Sequence, residues 1–131
     1  MTPKEVVSKF YNSDLANNSN AIEACFHADC IIHWHSSKGF RSIDFNTLKL
    51  VFEDVRKTYE TLRFEISHML QDGNSVIVRY TSYASTIENP NEEDALAHFS
   101  VIWEVKDDKI ITGYQMSQLA DSSTQSLNSF S

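Results

Sequence analysis

The sequence predicts an α+β fold: a cone-shaped barrel in which a curved, mainly antiparallel sheet wraps around three N-terminal helices. Three observations lead to this prediction. Two short amphipathic helices open the chain, a longer third helix follows an apolar run at residues 30–35, and the second half alternates apolar and polar residues between tight turns. Helices packed on one face of such a sheet bury that face, and the curvature leaves room inside for a small molecule.

The helices are marked by their caps and by apolar residues at helical spacing. Thr2-Pro3-Lys4-Glu5 forms a capping box with proline in the first turn, and the helix that it begins is expected to run to about Ala16. Asn20 can cap a second helix, and Ser42 or Asp44 can cap the third, which should be the longest.

Beyond the third helix the apolar period changes from 3.6 to two, which predicts strands. Leu62, Phe64 and Ile66 share one face of the first of them. Asp72-Gly73 tolerates the positive φ of a type I′ turn and predicts a hairpin. The remaining strands are predicted over three segments: 75–87, 97–105 and 110–116.

Length, composition and charge limit the possibilities. The 131 residues suffice for one domain, expected over residues 1–120, followed by a polar tail over 121–131 that is expected to be disordered. No apolar run approaches the ~18 residues of a membrane span. The net charge of -7, without a basic cluster, argues against nucleic acid. The start of the chain does not resemble a secretory signal, so we expect a cytoplasmic location.

Cysteine and histidine spacing gives only a weak metal signal. Cys25 and Cys30 lack the flanking Cys or His of a zinc site and are expected to be buried thiols. His33 and His35 leave the same side of a strand, and with His98 and a carboxylate they could in principle hold a metal. Two histidines near a strand end are more often surface or interface residues, so we expect neither a metal nor a cofactor.

Apolar residues occupy both faces of the central strands. Val76 and Val78 share one face while Ile77 lies on the other, and Trp103 is opposed by Ile102. One face can line the interior, whereas the other would expose a contiguous apolar patch. We therefore expect a homodimer formed through the outer face of the sheet; the alternative is that helices or loops cover that face.

Several segments together are similar to a known superfamily. They are the first helix up to Leu15, the passage Asn20–Cys30 that leads into the first strand, Gly39 before the third helix, and the hairpin Trp103–Ile111. In this order, over about Glu5–Leu119, the chain resembles the nuclear transport factor 2-like superfamily and in particular its SnoaL-like branch, which includes polyketide cyclases and ketosteroid isomerases. The resemblance implies no single activity, since the superfamily holds isomerases, cyclases, hydrolases, dehydratases and proteins without catalysis.

The resemblance places different residues at the catalytic positions of the ketosteroid isomerases. Trp34 stands where those enzymes carry their general-base aspartate, and an indole cannot take up a proton. Phe10 stands where they carry the oxyanion tyrosine, and the second acid of the oxyanion hole would fall near Val101. We therefore predict that ketosteroid isomerisation is absent.

Aromatic residues are the main candidates for a ligand site. The resemblance implies that Trp34 faces the inside of the cone, although a core tryptophan is an equal alternative. We expect Phe64, Tyr83 and Trp103 to line the same cavity and Gln115 to orient a ligand by hydrogen bonds.

His98 and His35 are the candidates for acid–base catalysis. Strict alternation puts His98 on the outer face, but a bulge near Ala97 would turn it into the cavity. Otherwise His98 is an ordinary polar residue beside an acidic loop. His35 borders a turn at which the alternation can fail.

Two functions are compatible with the sequence. The first is the binding of a small, largely apolar molecule in the cone, with or without isomerisation, cyclisation or hydrolysis by one histidine. A histidine in the cavity favours catalysis, and its absence favours binding. The alternative is a non-catalytic protein-interaction module whose cone is filled by its own side chains, with no cavity above ~300 Å³.

Overall fold

The chain forms one curved, mixed sheet of six strands with four helices, which confirms the predicted α+β class. The computed structural model describes residues 1–131. In chain order the elements are α1 (Pro3–Tyr11), α2 (Ala21–Cys25), β1 (Phe26–Ser36), β2 (Gly39–Asp44), α3 (Phe45–Thr58), β3 (Tyr59–Asp72), β4 (Ser75–Thr86), β5 (Asp94–Lys106), β6 (Lys109–Leu119) and α4 (Thr124–Asn128).

The sheet is open and has the strand order β2-β1-β6-β5-β4-β3. Neighbouring strands are antiparallel, except that β1 and β6 are parallel. β2 and β3 are therefore the two free edges, and α3 connects them in sequence. Because α3 contacts β1 and β2 on one side and β3 on the other, it spans the concave inner face of the sheet.

The helices differ from the prediction in part. α3 follows β1, as predicted, but also β2, so only α1 and α2 lie N-terminal to the sheet, and a fourth helix, α4, lies near the C-terminus. α1 ends at Tyr11 instead of near Ala16, because the chain turns at Asp14, where φ is 50° and the carboxylate accepts hydrogen bonds from Asn17. No helix has both the length and the apolar character needed to cross a membrane.

β2 was not predicted, and its burial pattern explains why. Only one of its six residues, Ile43, is buried, so the strand has no apolar alternation. Gly39, with φ at 105°, makes the turn from β1 into β2. Asp44 then caps α3 by accepting a hydrogen bond of 2.8 Å from the backbone N–H of Thr47, which selects it over Ser42 as the cap.

The core lies between the inner face of the sheet and the first three helices. α1 contacts β3, β4, β5 and β6. Its buried side chains are those that the helical spacing predicts: Val6, Val7, Phe10 and Tyr11. Cys25 and Cys30 are buried in this core as unpaired thiols. Burial raises the pKa of both, that of Cys30 to about 11.

The outer face of the sheet is covered only in part, by α4. The ring of Phe130 lies 4.5 Å from that of His98 and 3.5 Å from the guanidinium carbon of Arg79, and Ser123 caps the helix. The tail for which the sequence predicts disorder thus contains a short helix, because Phe130 anchors it to the sheet. Elsewhere on this face large apolar side chains are exposed: Leu70, Ile77, Ile102, Tyr114 and Met116.

Candidate functional site

An apolar cavity of about 180 Å³ lies between the inner face of the sheet and α3. Its walls come from α1, α3 and all six strands. Of its 18 lining residues 16 are hydrophobic, and the two others are Ser82 and Gln115. No Asp, Glu, Lys, Arg or His lines it. The cavity can therefore interact with a ligand through apolar contact and a few neutral hydrogen-bonding groups.

The two ends of the cavity differ in their exposure. Phe10, Phe26 and Trp103 at the inner end are fully buried. Toward α3 and the start of β3 the lining residues are half-buried. We take the partly exposed residues around α3, with Leu96 from β5, as the mouth of the cavity: Val51, Val55, Tyr59, Leu62 and Leu96.

The structure places four of the five predicted ligand-binding residues in the cavity lining: Trp34, Phe64, Trp103 and Gln115. The fifth, Tyr83, lies on the outer face. It pairs with Arg63 in the sheet, and the guanidinium carbon of Arg63 lies 4.3 Å from the centre of its ring. Tyr83 is excluded from the cavity because the alternation of β4 points Ser82 inward at this level.

Trp34 is held as a half-buried wall of the cavity. Its indole N–H donates a hydrogen bond of 2.8 Å to the Oγ of Ser117, and the guanidinium carbon of Arg41 lies 5.7 Å from its ring. Both neighbours come from strands that flank β1. The indole N–H is thus satisfied by protein, and the ring presents an apolar surface.

Three buried polar groups meet at the inner end. The indole N–H of Trp103 donates a hydrogen bond of 2.8 Å to the hydroxyl of Tyr11, and the ring of Tyr11 meets that of Tyr80 edge-on at 4.9 Å. Burial raises the pKa of both tyrosines well above its ordinary value. Both hydroxyls are therefore neutral at physiological pH and cannot act as bases there.

His98 lies outside the cavity, on the outer face of the sheet. Its Nδ1 is 2.7 Å from the Oγ1 of Thr81, and its Nε2 is 3.5 Å from the Oγ of Ser126 in α4. A bulge does occur near Ala97, but the extra residue is Leu96. The bulge turns Leu96 into the cavity, and regular alternation from Ala97 onward keeps His98 outside.

His35 also lies on the outer face, together with His33. The ring of His35 is 4.7 Å from that of Phe40, and the ring of His33 stacks on that of Tyr114 at 5.2 Å. Regular pairing of β1 with β2 continues through His35, so the alternation does not fail there. Neither histidine belongs to a group of three or more His, Cys, Asp or Glu side chains that could hold a metal ion.

Sequence reasoning missed three parts of the cavity. Tyr80 lies two and four residues after Val78 and Val76 in β4, so strand alternation puts the three side chains on the same face. This alternation could have predicted that Tyr80 points inward. Leu96 gave no signal, because a single-residue bulge leaves no trace in the apolar pattern. Leu48, Phe52 and Val55 form an apolar face of α3 at helical spacing, but the position of this face over the sheet depends on tertiary contacts.

An open, curved sheet that encloses helices and an apolar cavity defines a class of small α+β domains to which the nuclear transport factor 2-like proteins belong. This chain belongs to the SnoaL-like domain family, whose model matches residues 7–112. The resemblance predicted from the sequence is thereby confirmed. No curated protein matches the chain.

Solved structures share this fold at low sequence identity. IdmH of Streptomyces antibioticus, provisionally assigned as a polyketide cyclase, is 12% identical, with a TM-score of 0.71 over 98% of this chain and 97% of its own. An LEH-like epoxide hydrolase of M. tuberculosis is 13% identical, with a TM-score of 0.69 over 97% and 86%. A hypothetical protein of Catenulispora acidiphila with a ketosteroid isomerase-like fold, in complex with trimethylamine, is 17% identical, with a TM-score of 0.67 over 100% and 94%.

Proposed function

We propose that this protein binds a small, neutral, largely apolar molecule in the inner cavity. One observation carries the proposal: 16 of the 18 lining residues are hydrophobic and none carries a formal charge. A charged ligand would be buried there without a partner, which is strongly unfavourable, whereas an apolar ligand gains from leaving water.

The cavity volume limits the size of the ligand. At about 180 Å³ the cavity lies below the ~300 Å³ expected above for a ligand-binding cone, and volume alone favours the filled-cone alternative. An apolar protein cavity of ~150 Å³ nevertheless binds benzene. The proposed ligand is therefore about the size of one ring.

The lining favours binding over acid–base catalysis. An enzyme that transfers protons near neutral pH needs a group that titrates there, most often a histidine or a carboxylate. Neither type lines this cavity, and burial raises the pKa of Tyr80 further from neutrality. Trp34 and Phe10, which replace the isomerase base and oxyanion tyrosine, supply only apolar wall. Ketosteroid isomerisation is accordingly still predicted to be absent.

The structural neighbours support the small-molecule part of the proposal. They include a protein assigned to polyketide cyclisation, an epoxide hydrolase and a complex with trimethylamine. These chemistries differ among themselves, and a shared fold does not transfer any one of them. What the neighbours have in common with this chain is the fold, in which a curved sheet packs on helices.

We also propose that the protein is a cytoplasmic homodimer associated through the outer face of the sheet. Register joins Leu70 to Ile77, Ile77 to Ile102 and Ile102 to Tyr114, so exposed apolar side chains form one row across four strands. A second copy would remove this row from water. Two buried, unpaired cysteines fit a reducing compartment.

A cavity-filling substitution tests the proposed function. Toluene is titrated into the protein while the methyl resonances of the cavity residues are followed by NMR. We expect saturable shifts in the wild type and their loss in Val55→Trp, because the larger side chain occupies the mouth. Leu50→Trp is the matched control, since Leu50 lies on the same helix, is 60% exposed and does not line the cavity. Equal toluene binding by Val55→Trp and the wild type, or none by the wild type, would contradict the proposal.

A further inference from the structure

Tyr80 is the one buried tyrosine on the wall of the cavity. Tyr80 is 4% exposed, and its side chain lines the cavity from β4. Its ring stacks on that of Phe99 at 4.8 Å and meets that of Phe64 edge-on at 5.4 Å. These contacts fix the ring, so the direction of its hydroxyl is set before any ligand arrives.

The hydroxyl of Tyr80 makes no hydrogen bond with the protein. Beside it, the hydroxyl of Tyr11 accepts a hydrogen bond of 2.8 Å from the indole N–H of Trp103, and the rings of Tyr11 and Tyr80 meet edge-on at 4.9 Å. No fully buried side-chain oxygen lacks a hydrogen-bond partner, so the unpartnered hydroxyl of Tyr80 borders open space. Its proton is therefore available to a ligand.

Of these two hydroxyls, that of Tyr80 is the one placed to meet a ligand. Tyr11 does not line the cavity, and its hydroxyl already accepts from Trp103. Tyr80 lines the cavity, and its hydroxyl, which has no protein partner, carries a desolvation cost that an acceptor on a ligand would remove.

We propose that Tyr80 is a ligand-binding residue that donates a hydrogen bond to a neutral acceptor oxygen, such as a carbonyl or ether, of the ligand in the cavity. This inference rests on the proposed function and adds the polar group that the ligand carries. Ser82, two residues along the same inner face, donates only a long hydrogen bond of 3.4 Å to the carbonyl of Ala97 and is a second partner. Gln115 supplies a third, neutral polar group.

The acceptor on the ligand is neutral because of its surroundings. No cation lines the cavity, so a carboxylate placed next to Tyr80 would lose its hydration without gaining an ion pair. Arg41, whose guanidinium carbon lies 5.7 Å from the ring of Trp34, is exposed and does not line the cavity. A ligand of about one ring with a single acceptor oxygen satisfies both the apolar wall and the free hydroxyl proton.

A pair of isosteric probes tests this inference. Cyclohexanone and methylenecyclohexane have nearly the same shape, but only the first has an acceptor oxygen. Tyr80→Phe removes one hydroxyl and keeps the ring. We expect this substitution to weaken cyclohexanone binding about 2- to 12-fold, the worth of one neutral hydrogen bond, and to leave the affinity for methylenecyclohexane unchanged. Tyr83→Phe, on the same strand but on the outer face, should change neither affinity.

A measurement on the unaltered protein makes the test independent of the variant's folding. The carbonyl stretch of bound cyclohexanone should move to lower frequency than in an apolar solvent, because the carbonyl accepts a hydrogen bond. An unshifted stretch, or equal loss of both probes in Tyr80→Phe, would overturn the role of Tyr80 while leaving the binding function intact. Failure of both probes to bind the wild type would instead overturn the proposed function and this inference with it.

Discussion

At the scale of single residues, one glycine decides how the largest core side chain packs. Gly113 lies on the inner face of β6 opposite Trp103. A Cβ at this position would come within 2.5 Å of the Cζ3 atom of Trp103, well inside van der Waals contact. Gly113 thus allows the indole to lie flat on the backbone and to reach Tyr11 with its N–H. The requirement is one of space, not of backbone conformation.

Gly113→Ala should therefore destabilise the protein. We expect the free energy of unfolding, measured by urea denaturation, to fall by about 1 to 3 kcal/mol, as is usual for an overpacked core. In a Trp103→Phe background the smaller ring leaves room, so the added methyl group should cost less. An equal cost in both backgrounds would show that the indole is not the obstacle.

Trp34 and His98 differ in their expected effect on ligand binding. Trp34→Leu should weaken toluene binding by about 1 to 3 kcal/mol, because a large aromatic contact on the cavity wall is lost. His98→Gln should leave the toluene dissociation constant unchanged, since the ring of His98 lies on the outer face against Phe130. A toluene affinity that depended on His98 and not on Trp34 would reverse the assignment of the two faces.

At the scale of elements, α4 depends on its contacts with the sheet. A helix of five residues is not stable alone, because nucleation costs more than its few hydrogen bonds return. Arg79 holds the segment in two ways: its guanidinium donates a hydrogen bond of 3.0 Å to the carbonyl of Ser129, and it lies over the ring of Phe130. The ring of Phe130 is thus the main apolar anchor.

Phe130→Ala should release α4 without affecting the core. We expect amide hydrogen exchange of residues 124–130 to become about tenfold faster, while exchange in β4 and β5 stays the same. Gln125→Ala is the control, because Gln125 is exposed on the same helix. If exchange in α4 is already complete at the first time point in the wild type, the segment is disordered, as the sequence predicts.

At the scale of the whole molecule, the two faces of the sheet are covered to different extents. The inner face is covered by α1, α2 and α3, whereas the outer face has only the small α4 over one part of it. The uncovered part is the row that runs from Leu70 to Tyr114, continued by Met116. Because the exposure of such a row of apolar side chains to water is unfavourable, we expect a second copy of the chain to cover it.

The protein should sediment at about twice its chain mass of 15.0 kDa at micromolar concentration. Ile102→Lys places a charge in the middle of the exposed row and should shift the protein to monomer, since the charge would be buried without a partner. Leu50→Lys makes the same change on α3, away from the row, and should leave the dimer intact. A wild type that sediments as a monomer would reject the proposed dimer.

The sequence by itself determined the type of most elements and the inward faces of the strands. The capping box at Thr2 was enough to predict the start of α1, and strand alternation was enough to predict that Phe64 and Trp103 point inward. Both are local properties of the sequence. The residues that match the family are likewise spread along the chain in order. Caps, alternation and the family match can therefore be read without knowing which elements contact each other.

The tertiary structure alone decided what the cavity contains. The bulge at Leu96 turned that residue into the cavity while His98 stayed outside, and packing of α3 on the face of β4 that carries Tyr80 and Ser82 left Tyr83 outside. The buried contact between Tyr11 and Trp103 joins residues 92 positions apart. Each depends on a partner strand or helix that local sequence does not specify, and a shift of one residue in a strand exchanges its inner and outer faces.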